Sequence, residues 1–545
     1  MKLQSNSNLH IISLWMLLSL VSLFSRSYIP IDETRYVAVA WNMWLNHDYL
    51  VPYLNGETYS HKPPLLFWLM NIGWHVFGVN DWWPRLIPSL FGLGAVFITQ
   101  RIALRLWSDR DQLPYLSALI LIGSSMWAVF TTALMFDMMV AFFTVLGIFG
   151  LLVAVQGESR KGWLLFTFSI AGGLLAKGPA ILLQLLPVAL LAPWWFKSAD
   201  VKVVWRQWYL ALLVAVLIGC LILLAWAIPA GISGGPKYQH EIFWGQTADR
   251  MVKSFAHQRP VYWYLPMMPV ILFPWLFALP VWRAIGRSIS SLDEIGVRFC
   301  LAWFLPVLIA FSFISGKQPH YLLPIVPAFA LLVARGWVEL SDIKWFDRAL
   351  LAIVGLVVAG LIFYLPIYNQ THDLAPWVSN IPLAAGILLA FAAITLMFGG
   401  GRDPIKYIQR ATLLGVFLIV TIYVGVIRVS GPAYDMRMLA HQLKSFEDEN
   451  IPLANVGVYH GQYNFLGRLH QSPEYVPPRK LDAWFLEHPN GRAIYYFEEN
   501  EPLGQVVPEY LQAYRGILVG VLNRSQWNEW SKQPHDFSAA EKDSE

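Results

Sequence analysis

Charge is scarce in this sequence. Only 14% of the 545 residues are Asp, Glu, Lys or Arg, where soluble domains carry about 25%. A chain this poor in charge cannot wet its surface along its whole length. With 56% hydrophobic residues and a mean hydropathy of +0.48, most of it must face lipid or other apolar helices. The net charge of +4 is small and spread out, which argues against a nucleic-acid partner. Cysteine is almost absent. Cys220 and Cys300 both lie in or beside apolar runs, so there is neither a disulfide framework nor a zinc-ribbon spacing. The sequence also has no P-loop, no GxGxxG in a βαβ context, no GxSxG elbow and no HExxH. Nucleotide hydrolysis, dehydrogenation and metalloprotease chemistry are therefore unsupported. Internal repeats and low-complexity segments are missing too.

Aromatic residues and long apolar runs are abundant. The 26 tryptophans suit belts at two membrane interfaces. Apolar runs near the length of a bilayer-crossing helix recur at 9–25, 85–107, 113–131, 134–156, 163–177, 180–196, 208–230, 264–286, 297–315, 320–338, 348–368, 380–399 and 409–429. The expectation is an all-α polytopic membrane protein of about thirteen transmembrane helices. Few charges precede the first run and no small-residue cleavage site follows it, so it reads as a retained helix. If the N-terminus is cytoplasmic, every short cytoplasmic loop is basic: Arg110; Arg160 and Lys161; Lys197, Lys202 and Arg206; Arg283, Arg287 and Arg298; Arg335, Lys344 and Arg348; Arg402, Lys406 and Arg410. The opposite face then receives the long segments 26–84, 231–263 and everything after about 430. Residues 26–84 place Trp, Phe and Leu at helical spacing and read as interfacial helices attached to a membrane domain of residues 1–430. From 431 to 545 charges and prolines return. "NVGVYH" (455–460), "RAIYYFEE" (492–499) and "GILVGVLN" (516–523) read as strands, and "KLDAWFLEHP" (480–489) as a helix. This is the expectation of a small soluble α/β domain outside the membrane.

The same topology puts a set of charged residues on the outer side, as if lining one cavity. Charge at membrane depth is costly and usually marks function. In "DETRY", Asp32 and Glu33 point about 100° apart on a helix, while Asp32 and Arg35 can pair at i, i+3. An ordinary helix start with dipole-favoured acids explains the pentapeptide equally well. Lys62 stands before two prolines, which hold it extended; it suits an anionic head group, or a lysine snorkelling at the interface. Asp137 and Lys177 are single charges in apolar stretches, each also readable as a helix-end residue. Arg250, His257 and Arg259 lie in a long aromatic outer segment and are available to anions. Lys317, His320 and Tyr321 sit at a proline-rich break between two spans, where a lone histidine is more often structural than a ligand.

Taken together, "DETRY", "LNGETYSHKPP", the Phe136–Asp137 pair, "AKGP", "HQRPVYWYLP" and "SGKQPHYLLP" resemble, in order and spacing, the GT-C membrane glycosyltransferases. The likeness runs from about residue 28 to 330 and is nearest to the branch of the aminoarabinose transferases and the protein mannosyltransferase-like bacterial enzymes. It implies transfer of a sugar, 4-amino-4-deoxy-L-arabinose among the candidates, from a polyprenyl-phosphate donor such as undecaprenyl phosphate. The acceptor would be lipid A, another envelope glycan or a protein hydroxyl, on the periplasmic face of a bacterial inner membrane. The resemblance gives Asp32 the place of the main catalytic acid and Asp137 that of a second outer-loop acid. Arg35, Tyr59, Lys62, Arg250 and Tyr321 fall where such enzymes handle the donor phosphate, with Lys317 beside them; Glu33, Lys177 and His257 take supporting places. The sequence departs from the pattern at one position. Aminoarabinose transferases commonly carry Glu immediately before the KPP lysine; here it is His61, so no metal contact is carried over. His61 and His257 are the residues available to a divalent ion such as zinc, too few for a site of their own. Two further readings remain open. A transporter or flippase fits the many helices and the Pro/Gly breaks, against the missing repeat and the outer rather than midplane placement of charge. A non-catalytic envelope scaffold would tolerate loss of Asp32 and Lys62.

Overall fold

A computed structural model describes residues 2–197, 202–249, 258–372, 374–457, 459–497, 503 and 506–532. Its contacts divide the chain into two compact units. The first comprises residues 1–25, 60–66 and 79–429, and the second 26–59, 67–78 and 430–545. The second unit thus gathers the C-terminal sheet together with most of the segment after the first helix.

The first unit is helical. Among the described residues eight helices are long and apolar enough to cross a membrane, from Ser7–Ser25 to the long Pro404–Asp448 stretch. The count reaches nine if Leu113–Ile122 and Ser125–Thr132, bent by 68°, are one broken span. The expected thirteen is not reached by this criterion. Several apolar runs are instead built as short pieces, such as Ala180–Leu190 and Tyr264–Ile271, each with a proline inside. Proline removes a backbone donor and clashes with the preceding turn, which cuts the run into segments.

One helix pair does most to place charge. Asp137–Val155 and Ser159–Lys177 are each 19 residues long and joined by only three residues. At 1.5 Å per residue they rise equally, so the start of one and the end of the other come out level. Small residues bring them close: a Cβ on Gly150 would lie 2.8 Å from the Gly162 carbonyl oxygen, and one on Gly162 would overlap the Ala154 backbone nitrogen. The second helix stops at Gly178, whose φ of +77° costs a glycine little, and Pro179 opens the next.

The second unit has a five-stranded mixed sheet in the order β4–β3–β5–β7–β6, with β3 Leu453–Val456, β4 Glu474–Val476, β5 Arg492–Phe497, β6 Tyr510–Tyr514 and β7 Ile517–Leu522. β3 runs parallel to β4 and β5; β7 is antiparallel to β5 and β6. Ala454, Val456, Ala493, Tyr495, Phe497 and Leu522 pack with Trp484, Phe485, Trp527 and Trp530 from the Leu481–Glu487 and Arg524–Trp530 helices. The last helix begins with a capping box in which Asn523 and Gln526 satisfy each other's backbone N–H groups. β5 and β7 match the expected strands. β3 ends at Val456, short of the expected 460, because Gly457 turns the chain at φ +83°; Val458 lies outside the described residues. β4 and β6 are new.

The N-terminal segments of this unit are the Asp32–Asn46 helix, the strands β1 Tyr53–Leu54 and β2 Glu57–Thr58, and most of the Leu65–Phe77 helix. Asn55 and Gly56, both at positive φ, make the tight turn between the strands. The helices are fastened to the 464–469 segment. Trp41 donates its indole N–H to the Leu469 carbonyl at 2.8 Å, and Trp74 stacks on Phe465 with ring centroids 5.1 Å apart. On the Leu65–Phe77 helix, Ile72, Val76 and Phe77 stay exposed, as on a helix lying at a membrane interface.

Candidate active site

In the second unit, the Asp32 helix starts with three charged residues in different surroundings. Glu33 is buried. Its two carboxylate oxygens take both terminal nitrogens of Arg26, at 2.5 and 2.9 Å, and one also accepts the Ile29 backbone N–H at 2.8 Å. Asp32 has a half-exposed side chain. Its Oδ1 accepts from the Arg35 guanidinium and, at 3.4 Å, from the Tyr36 hydroxyl. Arg35 is the cation expected at i+3. Burial alone would pull its pKa down, yet Tyr59, Tyr36 and Asp32 push it up. Tyr59 is itself buried, packed on Phe67 at 6.2 Å between ring centroids. Asp32, Arg35, Tyr36 and Tyr59 thus form one group, and Glu33 is the buried acid that fixes the turn beneath it.

In the first unit the level ends of the helix pair meet. The Lys177 ammonium donates to Asp137 Oδ1 at 2.5 Å, and His320 Nε2 lies 3.7 Å from the same oxygen. Asp137 is only 4% exposed, and a carboxylate is kept so deep only when paired. Lys62 adds to the positive field acting on it. The Lys177 ammonium also stands 5.0 Å from the centre of the Tyr321 ring, and His320 packs edge-on to Tyr321 at 4.9 Å. The Tyr321 carbonyl is held by Gln184 at 3.1 Å. Asp137, Lys177, His320 and Tyr321 are therefore brought together, with Lys62 in electrostatic reach. His320 joins this cluster; the sequence set it among the outer-side charged residues at a proline-rich break but gave it no specific site role.

Lys317 is buried and turned to the backbone. Its ammonium donates to the Arg259 and Ile314 carbonyls, at 2.9 and 2.6 Å. With the Arg259 N–H on the Ser315 carbonyl and the bridge between Gln258 and Gly316, it braces residues 258–259 against the break. Burial pushes its pKa down. Arg250 and His257 lie outside the described residues. His61 is exposed, and the described residues contain no group of three His, Cys, Asp or Glu side chains able to hold a metal ion.

A family model described as dolichyl-phosphate-mannose-protein mannosyltransferase matches residues 11–232. The undecaprenyl phosphate-alpha-4-amino-4-deoxy-L-arabinose arabinosyl transferase of Erwinia tasmaniensis is 29% identical over 400 residues, which is 67% of this chain and 67% of that protein. A second such transferase, from Pseudomonas fluorescens, is 29% identical over 64% of this chain and 63% of its own length. The crystal structure of ArnT from Cupriavidus metallidurans superposes with a TM-score of 0.73 at 19% identity, covering 95% of this chain and 98% of that one; so does its complex with undecaprenyl phosphate.

Proposed function

We propose, with this chain's membership of the GT-C membrane glycosyltransferases as the premise, that it moves 4-amino-4-deoxy-L-arabinose from undecaprenyl phosphate to a lipid A acceptor. The observation that carries the reading is the half-exposed Asp32 carboxylate paired with Arg35, in a fold similar to a protein crystallised with undecaprenyl phosphate. Asp32 faces the attacking oxygen. If that oxygen belongs to a hydroxyl, Asp32 takes its proton as general base; if it belongs to a phosphate, Asp32 orients it. The bond from the sugar's anomeric carbon to the lipid phosphate breaks as the new one forms, so one displacement inverts the configuration without a covalent sugar–enzyme intermediate.

Negative charge grows on the departing phosphate, and fixed cations stabilise it most where water is excluded. Arg35, Lys62 and Arg250 take this part as cations, and Tyr59 and Tyr321 offer hydroxyl donors to the same phosphate. Lys317 serves it by holding the segment next to Arg259. Asp137 holds Lys177 and His320 in place. The reaction faces the periplasm, the side to which the basic loops do not belong. A protein hydroxyl as acceptor is the second reading, favoured by the mannosyltransferase model over residues 11–232.

The test is transfer of a radiolabelled sugar from polyprenyl phosphate to an envelope lipid extract or to a Ser/Thr peptide. Asp32→Asn should lower the rate about 10²–10⁴-fold, the usual share of a general base. Lys62→Ala should lower it about 10²–10³-fold. Equal transfer by wild type and both variants would remove these residues from the reaction; label in the peptide alone would establish the second reading.

A further inference from the structure

The second unit contains a cavity of about 450 Å³ that none of these roles uses. Small-ligand sites typically measure about 300–1,000 Å³. Three pieces of the unit wall it: the Asp32–Asn46 helix, the Asn55–Gly56 turn, and residues 464–475. They contribute the carboxamides of Asn42, Asn55 and Asn464, the Ser472 hydroxyl and the aromatic side chains of Trp41 and Tyr475.

The wall is held in shape by its own hydrogen bonds. Asn464, 6% exposed, donates to Asn55 Oδ1 at 3.2 Å and to Ser472 Oγ at 2.9 Å. Asn55 donates to the Tyr459 carbonyl at 2.7 Å. Behind the wall, the Glu447 carboxylate accepts the backbone N–H groups of His470 and Gln471, both at 2.8 Å. After these bonds the buried Oδ1 of Asn464 has no hydrogen-bond partner among the described residues. A buried acceptor left unmade is costly, and this one belongs to a residue of the cavity wall.

The chemistry of the wall narrows the occupant. No Lys or Arg lines the cavity, while Glu474 and the His470 imidazole do; a phosphate or sulfate would meet no permanent cation there. Carboxamides offer a donor and an acceptor side by side, which matches neighbouring hydroxyls on a ring. Aromatic side chains cover apolar C–H faces. We propose that this cavity binds a neutral or amino sugar, and that the sugar is a non-reacting unit of the acceptor glycan. The second half rests on the glycosyltransferase reading above.

The full chain in lipid nanodiscs is titrated with glucosamine, chitobiose, maltose and glucose 6-phosphate, following saturation-transfer NMR and tryptophan fluorescence. Saturable binding of at least one uncharged or amino sugar is expected. It should weaken at least fivefold in Asn42→Ala and in Tyr475→Ala and persist in Asp32→Asn. Tyr475 is 46% exposed, so its replacement leaves the fold intact and keeps the test decisive. No saturable binding, unchanged binding in both wall variants, or preference for glucose 6-phosphate would overturn the proposal. Sugar binding without any transfer activity would count against the glycosyltransferase reading and leave the site standing; transfer without sugar binding would do the reverse.

Discussion

Asp32 and Glu33 are adjacent acids that one helix sends to different surroundings. The 100° step between neighbours turns Glu33 into Arg26 and leaves Asp32 half in solvent with Arg35. A base must reach its substrate, so the exposed acid is the one to mutate for activity. Asp137 is the opposite case, with its charge held by Lys177 and His320 out of water. Breaking a buried pair from one side typically costs about 3–5 kcal/mol, because the partner's charge is left unpaired. Asp137→Asn and Lys177→Met should each lower the melting temperature of the detergent-solubilised protein and abolish transfer. The double variant should regain most of the melting temperature but none of the transfer. Single variants as stable as wild type would show that the pair does not hold this corner. At this scale the sequence was informative about kind and silent about company. Asp137 and Lys177 stood out as single charges in apolar stretches and His320 as a histidine at a proline-rich break, yet only the packing of distant helices brings them together. Lys317 looked like an anion ligand from its neighbours, while its ammonium is taken up by two carbonyls.

Among elements, the equal-length helix pair sets the Asp137–Lys177 contact through its glycine seam. Gly162→Leu would push the helices apart, and overpacking of this kind costs about 1–3 kcal/mol. The variant should lower transfer far more than Gly286→Ala, a glycine with nothing near its Cβ position; equal effects would deny the seam its role. Another joint depends on pH. Glu294 binds Trp107 Nε1 at 2.7 Å, Arg335 at 2.5 and 2.7 Å, and Arg110 at 3.1 Å. Burial pushes its pKa up, but Arg335, Trp107 and Arg110 outweigh this and hold it below the usual glutamate value. A depressed pKa stabilises above the unfolded-state value and the benefit disappears as pH falls through the folded one. Glu294→Gln should therefore melt several degrees below wild type at pH 7, with the gap closing as pH falls below about 4. A gap independent of pH would assign the loss to shape instead of charge. Helices were easy to read here, because runs of apolar residues long enough to cross lipid have few other uses. Their proline-cut ends were not, nor was the Asn55–Gly56 hairpin, whose two-residue strands are too short to show alternation.

For the whole molecule, the basic loops predict which ends of the helices face the cytoplasm. A background with Cys220 and Cys300 replaced by Ser, carrying Asn490→Cys or Lys161→Cys, reads this directly. Both positions are exposed. A membrane-impermeant maleimide added to cells with a permeabilised outer membrane should label the first and spare the second. The reverse pattern would invert the topology. The sheet after residue 430 was visible in returning charge and alternating strands. That residues 26–59 and 67–78 belong with it was not, because the link is Trp41 on the Leu469 carbonyl and Trp74 on the Phe465 ring, groups some four hundred residues apart in sequence.

That shared membership limits how such chains can be recombined. The chain passes from one unit to the other after residues 25, 59, 66, 78 and 429. A tail grafted from a relative at residue 430 would arrive without the helices its own tryptophan and phenylalanine contacts require. Diversification of the tail must therefore travel with changes around "DETRY" and the hairpin, so the sheet and these N-terminal segments are inherited as a single module.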